Sequence, residues 1–405
     1  MDNRQSAGRR AWRMANEFNY KNAILLFAAL IIFQLVFACG DAQPLIPPED
    51  QPPPDYKTYC DSIGIRADGG SGFYEDNPTY FDYRDDTGDW AFSNPSSEGM
   101  NDSILTAGFK TLGSSPSIFS MIVIRRGKII KEQYFNGCDS RASNNVHSSS
   151  KSILGALTGI AIAKGFIESE ETKLSSILPE YFTSLEDPRK DEIRIKHLLT
   201  MSAGLYWEED YTEYEIEEDT NWAASILNQP LNFAPGTAFN YSTGLTHVLS
   251  AAIQRAAGVS LCEFANIYLF EDLEIDAEHW GRDPKGVFSG GYNFYATARE
   301  LAKFGLLYLN GGKYNGKQLV PQDWVEKSLQ NKIADDEVYS YGYLWWLRKI
   351  SGYKAAIAWG YGGQFAYLLP EADLLVVSTA NTKDYFEEFD INSFVEDYVI
   401  PAIED

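Results

Sequence analysis

The sequence has few of the residues from which metal and redox centres are built. Its 405 residues include 4 cysteines and 4 histidines, and the histidines are widely scattered. No CxxC or HExxH motif occurs, so the pattern gives no indication of a zinc site or a dithiol centre. The G-x-S-x-G motif that marks the nucleophile elbow of many hydrolases is also missing.

Basic residues are scarce as well. The chain has 34 lysines and arginines against 57 aspartates and glutamates, which gives a formal net charge of −23. Such a surface repels nucleic acid and anionic lipid, and argues against a DNA- or RNA-binding role. Hydrophobic residues make up 44% and aromatic residues 14% of the chain, which is enough for a large core and unlike a disordered protein.

The first 38 residues have the pattern of a secretory signal. A basic region ending at Lys21 precedes an apolar run, 22–38, that is short for a membrane span. The run ends in Leu-Val-Phe-Ala-Cys at 35–39, which resembles a bacterial lipobox. The resemblance implies lipidation of Cys39 and a place in the cell envelope, with Gly40 favouring the outer membrane, facing the periplasm or the cell surface. An uncleaved signal-anchor is the alternative.

The remainder is predicted to contain a proline-rich, extended tether over 39–59, a wrapping segment over 60–97 and one domain over 98–405. Strand patterns occur early in this domain, around a Gly127 turn, and again late, where 341–347 is one predicted strand. Helical patterns lie between them. The order predicts an α+β fold, in which one antiparallel sheet is assembled from both chain ends and a mainly helical region is inserted.

Two further expectations concern cysteines and acids. Export would permit a disulfide, and Cys60 with Cys138 is the conceivable pair, because Cys262 lies in a helical pattern typical of buried residues. The acid-rich stretch 208–218 is interpreted as a solvated loop or helix face.

The candidate nucleophile is Ser148. It stands three residues before Lys151, where a polar run turns into the apolar stretch 153–162. At a helix start this spacing puts the hydroxyl and the ammonium about one turn apart on the same face. A lysine whose pKa is lowered by burial can take the serine proton, and the amides of a helix N-terminus can hold an oxyanion.

Other arrangements are open at this point. His147 directly precedes the serine, so its side chain is expected to point away from the place of a base. A Ser-His-Asp triad would therefore need His197, His247 or His279, which lie in contexts without an obvious orienting acid. Tyr241 precedes a helix and could serve as a general base near an ammonium, or it could be a core aromatic. Residues 358–364, Ala-Trp-Gly-Tyr-Gly-Gly-Gln, could place a substrate along a strand edge, or form an ordinary glycine-rich hairpin.

Together these motifs resemble the serine β-lactamase and penicillin-binding-protein superfamily, in particular its class C β-lactamase branch, which also holds esterases, D-aminopeptidases and 6-aminohexanoate-dimer hydrolases. The resemblance covers roughly 98–400. Further stretches that fit the family are Met121–Gly127, His197–Leu205, Ala234–Thr237, Leu301–Gly312 and Tyr341–Trp346.

The resemblance implies a role for each motif. Ser148 would be the acylated nucleophile, Lys151 its activator and Tyr241 a proton relay. The amides of Ser148 and Tyr361 would form the oxyanion hole, with Gly363 as the alternative to Tyr361. The residues implied to bind substrate are Trp359, Gly360, Gly362 and Gly363. No metal or organic cofactor is implied.

Two positions depart from the family pattern. Thr243 stands where the family often has asparagine, and Ala358 stands where it has the lysine or histidine that binds a substrate carboxylate. The sequence therefore resembles the 6-aminohexanoate-dimer-hydrolase and esterase members more than the β-lactamases. We expect an exported serine hydrolase that cleaves an amide or ester in a small-molecule or peptide-like substrate. The alternatives are a catalytically idle envelope-binding lipoprotein, or a D-Ala-D-Ala carboxypeptidase or true β-lactamase.

Overall fold

The computed structural model describes residues 54–66, 90–183, 187–209, 211–277, 279–336, 338–381 and 390–404. The predicted signal peptide 1–38, the proposed lipid-anchor Cys39, the tether up to residue 53 and residues 67–89 of the wrapping segment lie outside the described residues. Within the described ranges, no helix combines the length and the apolar character that crossing a bilayer requires.

The described helices and strands follow one another along the chain. The helices are α1 Pro54–Ile63, α2 Asp102–Leu112, α3 Ser150–Ala163, α4 Leu174–Ile177, α5 Ile195–Leu199, α6 Tyr211–Glu217, α7 Trp222–Asn228, α8 Thr243–Ala257, α9 Leu261–Ala265, α10 Glu271–Leu273, α11 Ala298–Leu309, α12 Gln322–Ser328 and α13 Ile391–Phe394. The strands are β1 Gly64–Arg66, β2 Ile118–Arg125, β3 Lys128–Tyr134, β4 Ser143–Asn145, β5 Trp280–Arg282, β6 Tyr295–Thr297, β7 Lys313–Tyr314, β8 Lys317–Gln318, β9 Ile333–Ala334, β10 Tyr339–Tyr341, β11 Trp346–Ile350, β12 Tyr353–Gly360, β13 Gln364–Leu369 and β14 Leu374–Ala380.

The main sheet joins the two ends of the domain. Its eight strands lie in the order β3-β2-β14-β13-β12-β11-β10-β9, and every neighbouring pair is antiparallel. Strand β2, from the early hairpin, pairs with β14, the last of the described strands. The helices α3 to α12 are inserted between the early and late strands. The predicted α+β class, with its single antiparallel sheet and inserted helical region, is confirmed.

The sheet is covered on both faces, which explains why its central strands are mostly apolar. All eight residues of β2 are buried. Ile122 and Ile124 pack in the core that includes α3 and α8, whereas Met121 and Val123 face the core that includes α2 and α13. Alternate residues of a strand point to opposite faces, so a strand that is buried along its whole length requires a packed layer on each side.

The single strand predicted over 341–347 is wrong. Strand β10 ends at Tyr341 and β11 begins at Trp346. The residues between them form a turn in which the Gly342 N–H donates to the carbonyl of Trp345 at 2.9 Å. Leu344 has a φ of 61°, and its N–H donates to the carbonyl of Leu199 at 2.9 Å. A bond to the helical region therefore replaces the strand ladder at this point.

The expected Cys60–Cys138 disulfide is also wrong. Cys60 is bonded to Cys262, with a Cα–Cα distance of 5.9 Å, and Cys138 keeps its thiol. Cys262 is buried on α9 as predicted, and the helix α1 brings Cys60 to it. The prediction of an extended tether is also wrong at its end, because Pro54–Tyr59 is helical. The Tyr59 hydroxyl donates to Asp276 at 2.5 Å and so adds a second tie.

We predict that the Cys60–Cys262 disulfide contributes substantially to stability, because it closes a loop of 202 residues. Its removal in the Cys60→Ser, Cys262→Ser double variant should lower the free energy of unfolding by about 2–4 kcal/mol, measured by chemical denaturation. Cys138→Ser is the control and should change it much less. A double variant as stable as the wild type would contradict this prediction.

Candidate active site

The nucleophile candidate lies in a tight turn between β4 and α3. Residues His147–Ser149 form one turn of 3-10 helix that runs directly into α3. The backbone N–H of His147 donates to the side-chain oxygen of Asn145 at 3.0 Å, and the Val146 N–H donates to the Phe294 carbonyl at 2.9 Å. These bonds fix the chain just before Ser148, whose side chain is half-buried.

Lys151 lies one turn further, with only 1% of its surface exposed. Its Nζ is 2.8 Å from Ser148 Oγ, 2.9 Å from Thr243 Oγ1 and 2.9 Å from the Gly291 carbonyl. A Cβ atom at residue 291 would lie 3.0 Å from Nζ and 2.3 Å from the Thr246 hydroxyl. Glycine is therefore required where this carbonyl approaches the lysine.

Tyr241 is held beside this pair. Its ring centroid is 5.0 Å from Lys151 Nζ, and the ring stacks on Trp346 at 5.6 Å. The residues on either side are anchored, since the Asn240 N–H donates to the Met201 carbonyl at 2.8 Å and Ser242 caps α8 through its side chain. The Tyr241 ring thus lies beside the Lys151 amine, as the predicted role in proton transfer requires.

A carboxylate that the sequence did not single out completes the polar centre. Glu209 accepts hydrogen bonds from the Thr243 N–H at 3.0 Å, from the Thr243 hydroxyl and from the Trp207 indole. The stretch 208–218 was interpreted as solvated, and this is wrong for Glu209, which is half-buried. The stretch has seven acidic residues. Among the described ones Glu217 is also half-buried and accepts from the Tyr292 hydroxyl at 2.5 Å, and no spacing distinguishes the acids that turn inward.

The glycine-rich junction lies against the nucleophile turn. Strand β12 ends at Gly360, which pairs with Gln364 of β13. A Cβ atom at residue 360 would come within 2.2 Å of the Val146 carbonyl, so the strand end can reach the turn only with glycine. The hydroxyl of Ser149 bridges the two strands by donating to the carbonyls of Ala358 at 3.2 Å and Gln364 at 2.8 Å.

The residues of this junction turn back sharply. Gly362 and Gly363 have φ values of 78° and 107°, which glycine adopts without strain. The ring of Tyr361 is 42% exposed and lies edge-on to the His147 ring at 5.8 Å. The junction thus brings Tyr361 next to the turn that carries Ser148. The oxyanion role of the Ser148 and Tyr361 amides, with Gly363 as the alternative, stays a prediction.

Trp359 lies on the other face of the sheet from its neighbour Ala358. Its ring contacts Tyr339, Trp346 and Phe365 at 5.7, 5.9 and 5.6 Å and packs against the core that includes α2. Ala358 is fully buried in the core that includes α3. Trp346 is the link, because it contacts both Trp359 and Tyr241. A role of Trp359 in substrate binding stays a prediction.

The histidines occupy other environments. Burial and the nearby Lys151 ammonium lower the pKa of His147 to about 4, and its φ of 46° sets the direction of the turn. His197 accepts from the Arg194 N–H at 3.1 Å. His247 does have an acid, Asp283, at 3.1 Å, which the sequence had not revealed, and it packs on Trp222. The group at hydrogen-bond distance from Ser148 Oγ is Lys151.

Comparison with known proteins identifies the family of the chain. The family described as Beta-lactamase matches residues 115–398, which is more than half of the chain, and the chain therefore belongs to this family of serine hydrolases. The 6-aminohexanoate-dimer hydrolase of Paenarthrobacter ureafaciens is 26% identical over 295 residues, covering 65% of this chain and 73% of that protein. Esterase EstB of Burkholderia gladioli is 27% identical over 176 residues, covering 38% and 44% of the two chains.

A solved structure supports the fold alone. The octameric penicillin-binding protein homologue from Pyrococcus abyssi superimposes with a TM-score of 0.56 at 18% identity, covering 74% of this chain and 75% of that chain. The predicted resemblance to the β-lactamase and penicillin-binding-protein superfamily is confirmed.

We predict that His147 makes folding sensitive to acid. Its pKa falls from an ordinary 6.5 to about 4 in the folded protein. Between pH 6.5 and about 4, His147 is protonated in the unfolded chain but not in the folded protein. The folded state therefore loses stability as the pH drops through this window. The loss attributable to His147 should reach about 3 kcal/mol at pH 4.

The measurement is chemical denaturation of the wild type and of His147→Asn at several pH values from 7 to 4. Asparagine tolerates the positive φ of this position, so the variant removes the titrating ring while keeping the turn. The wild type should lose more stability than the variant across the window. Parallel pH curves for the two proteins would show that His147 contributes nothing.

Proposed function

We propose that this chain is an exported serine hydrolase that cleaves an amide or ester through an acyl-enzyme on Ser148. The observation that carries the proposal is the 2.8 Å contact between Ser148 Oγ and the buried amine of Lys151. The proposal uses Lys151 in its neutral form, whose lone pair can accept a proton. A neutral amine at this distance is a suitable base for a serine hydroxyl.

Acylation follows from this contact. Ser148 Oγ attacks the substrate carbonyl carbon and forms the new C–O bond, while its proton passes to Lys151 Nζ. The carbonyl oxygen becomes an oxyanion, held by the N–H groups of Ser148 and Tyr361. When the tetrahedral intermediate collapses and its bond to the leaving group breaks, Tyr241 gives its phenol proton to the departing amine or alcohol. Lys151 then returns the serine proton to Tyr241, which leaves both residues neutral. One oxyanion donor contributes on the order of a hundredfold or more in rate.

Hydrolysis of the acyl-enzyme returns the site to its starting state. Water attacks the ester carbon on Ser148, and its proton passes through Tyr241 to Lys151, which later returns it to the serine. The C–O bond to Ser148 then breaks, the serine regains a proton and the carboxylic acid is released. Each of these steps uses groups within the cluster already described.

The proposed substrate has no carboxylate that needs a cation beside the junction. The position at which a lysine or histidine would supply this charge is the buried methyl group of Ala358. Aromatic rings stand beside Tyr241 instead, with Trp346 stacked on it at 5.6 Å and Tyr341 edge-on at 6.4 Å. The relatives described as a 6-aminohexanoate-dimer hydrolase and an esterase support open-chain amides and esters over β-lactams.

The proposed location is the cell envelope, with the chain attached through a lipid on Cys39. The sequence of residues 1–39 motivates this proposal. The Cys60–Cys262 disulfide supports it independently, because disulfides persist in oxidising compartments outside the cytosol.

The catalytic assignment predicts the behaviour of three variants. Ser148→Ala should abolish labelling by a fluorophosphonate probe and hydrolysis of p-nitrophenyl esters. Lys151→Ala and Tyr241→Phe should lower kcat by about 10²- to 10⁴-fold, the usual contribution of a general acid or base. Circular dichroism should show that all three keep the fold.

Ser103→Ala is the matched control, because this serine is exposed on α2 and should label and turn over like the wild type. Labelling of Ser148→Ala would refute the nucleophile. A wild-type protein that forms no acyl-enzyme with esters, β-lactams or D-amino-acid peptides would instead favour a binding protein with the same fold.

The proposed anchor predicts incorporation of labelled palmitate in a bacterial host. The full-length wild-type chain should carry the label and sediment with membranes, whereas Cys39→Ser should carry none. Cys138→Ser is the control, since it leaves the lipobox intact. Palmitate on the Cys39→Ser variant, or none on the wild type, would contradict the anchor.

A further inference from the structure

Glu209 is connected to Lys151 through a single hydroxyl group. Lys151 Nζ is 2.9 Å from Thr243 Oγ1, and the same oxygen is hydrogen-bonded to one carboxylate oxygen of Glu209. The other oxygen of Glu209 accepts from the Thr243 N–H at 3.0 Å and from the Trp207 indole. Thr243 is the first residue of α8 and is buried, so this geometry is imposed by the fold.

The chemistry of these groups determines where each proton lies. A carboxylate can only accept hydrogen bonds, whereas a hydroxyl has one proton to donate and lone pairs that accept. The Thr243 hydroxyl must therefore donate its proton to Glu209. A lone pair of Thr243 Oγ1 then faces Lys151. The Gly291 carbonyl, 2.9 Å from Nζ, can likewise only accept.

The consequence concerns the neutral form of Lys151, the form that accepts a proton. A neutral amine has two N–H bonds and one lone pair. If Thr243 and Gly291 each accept a hydrogen bond from one of these N–H groups, the lone pair is available to Ser148 Oγ, 2.8 Å away. The direction of the lone pair thus depends on the Thr243 hydroxyl accepting rather than donating.

We propose that Glu209 is a positioning residue that holds the Thr243 hydroxyl as an acceptor and thereby directs the lone pair of Lys151 at Ser148. This inference rests on the proposed hydrolase function. It assigns to Glu209 no contact with substrate, since its partners are Trp207 and Thr243. Its effect should appear in the chemical step and leave substrate binding nearly unchanged.

The sharpest test is Glu209→Gln, because the new amide has one accepting oxygen where the carboxylate has two. Two N–H donors, from Thr243 and Trp207, meet the same carboxylate oxygen, so the amide oxygen should take that place. Its NH₂ group then faces Thr243 Oγ1 and donates to it. The threonine proton must turn toward Lys151, where it competes with Ser148 for the lone pair.

We predict that Glu209→Gln lowers kcat for a p-nitrophenyl ester by on the order of a hundredfold, the scale of a disabled general base, while KM stays within about threefold. Glu209→Asp keeps the carboxylate and should recover most of the lost rate. Glu208→Gln is the matched control, because this neighbouring acid carries the same charge and is exposed, and it should leave kcat unchanged.

A double-mutant cycle separates positioning from a general structural effect. Thr243→Val removes the hydroxyl through which Glu209 acts, so adding Glu209→Gln in that background should reduce kcat by less than about threefold more. Two contacts that act as one unit are expected to be non-additive in this way. A full second loss in the Thr243→Val background would overturn the proposal, as would wild-type kcat in Glu209→Gln.

Thermal unfolding of each variant is measured alongside. If Glu209→Gln does not fold, Thr243→Ser and Thr243→Val decide the question, because only serine keeps the hydroxyl. Serine should retain most of the wild-type kcat and valine should not, and equal rates would overturn the proposal. An inactive wild-type enzyme would instead contradict the proposed function, so the two failures are distinguishable.

Discussion

The hydrogen bond between Lys151 and Ser148 is the interaction on which the site depends, because it requires an amine inside the protein. A buried amine whose N–H groups lacked acceptors would be costly, so other acceptors must surround it. They come from Thr243 and Gly291, which are 92 and 140 residues away along the chain. The serine and lysine are local in sequence, but the environment that permits their contact forms only when distant segments have packed.

The sheet contributes a second constraint from the opposite side. Ser149 donates to carbonyls of both β12 and β13, and Gly360 lets the end of β12 approach the turn that holds Ser148. Side chains of one turn therefore form hydrogen bonds with different parts of the domain, Ser149 with the sheet and Lys151 with the helical region. This explains why the nucleophile lies where the two parts of the domain meet.

The sequence predicts features that repeat at short range, and it fails where a single long-range contact decides. The strand patterns at both ends of the domain and the S-x-x-K spacing were sufficient for the sheet and for the Ser148–Lys151 pair. The partner of Cys262 was not predictable, because the approach of α1 depends on the packed fold. Glu209 is one acid among seven in its stretch, and only its contact with Thr243 distinguishes it. Leu344 looks like a strand residue until its N–H is seen to bond to Leu199.

The position of the disulfide has a mechanical consequence. If the chain is held by its amino terminus, any pull on the domain is transmitted through α1. The short parallel pair of β1 and β5 has three residues on each strand and would resist such tension weakly. The covalent bond from Cys60 to Cys262 carries the load directly into α9, in the buried interior. A force applied through the amino-terminal tether would thus bypass the sheet and the catalytic groups. The domain could bear such a force without unfolding from its amino-terminal end.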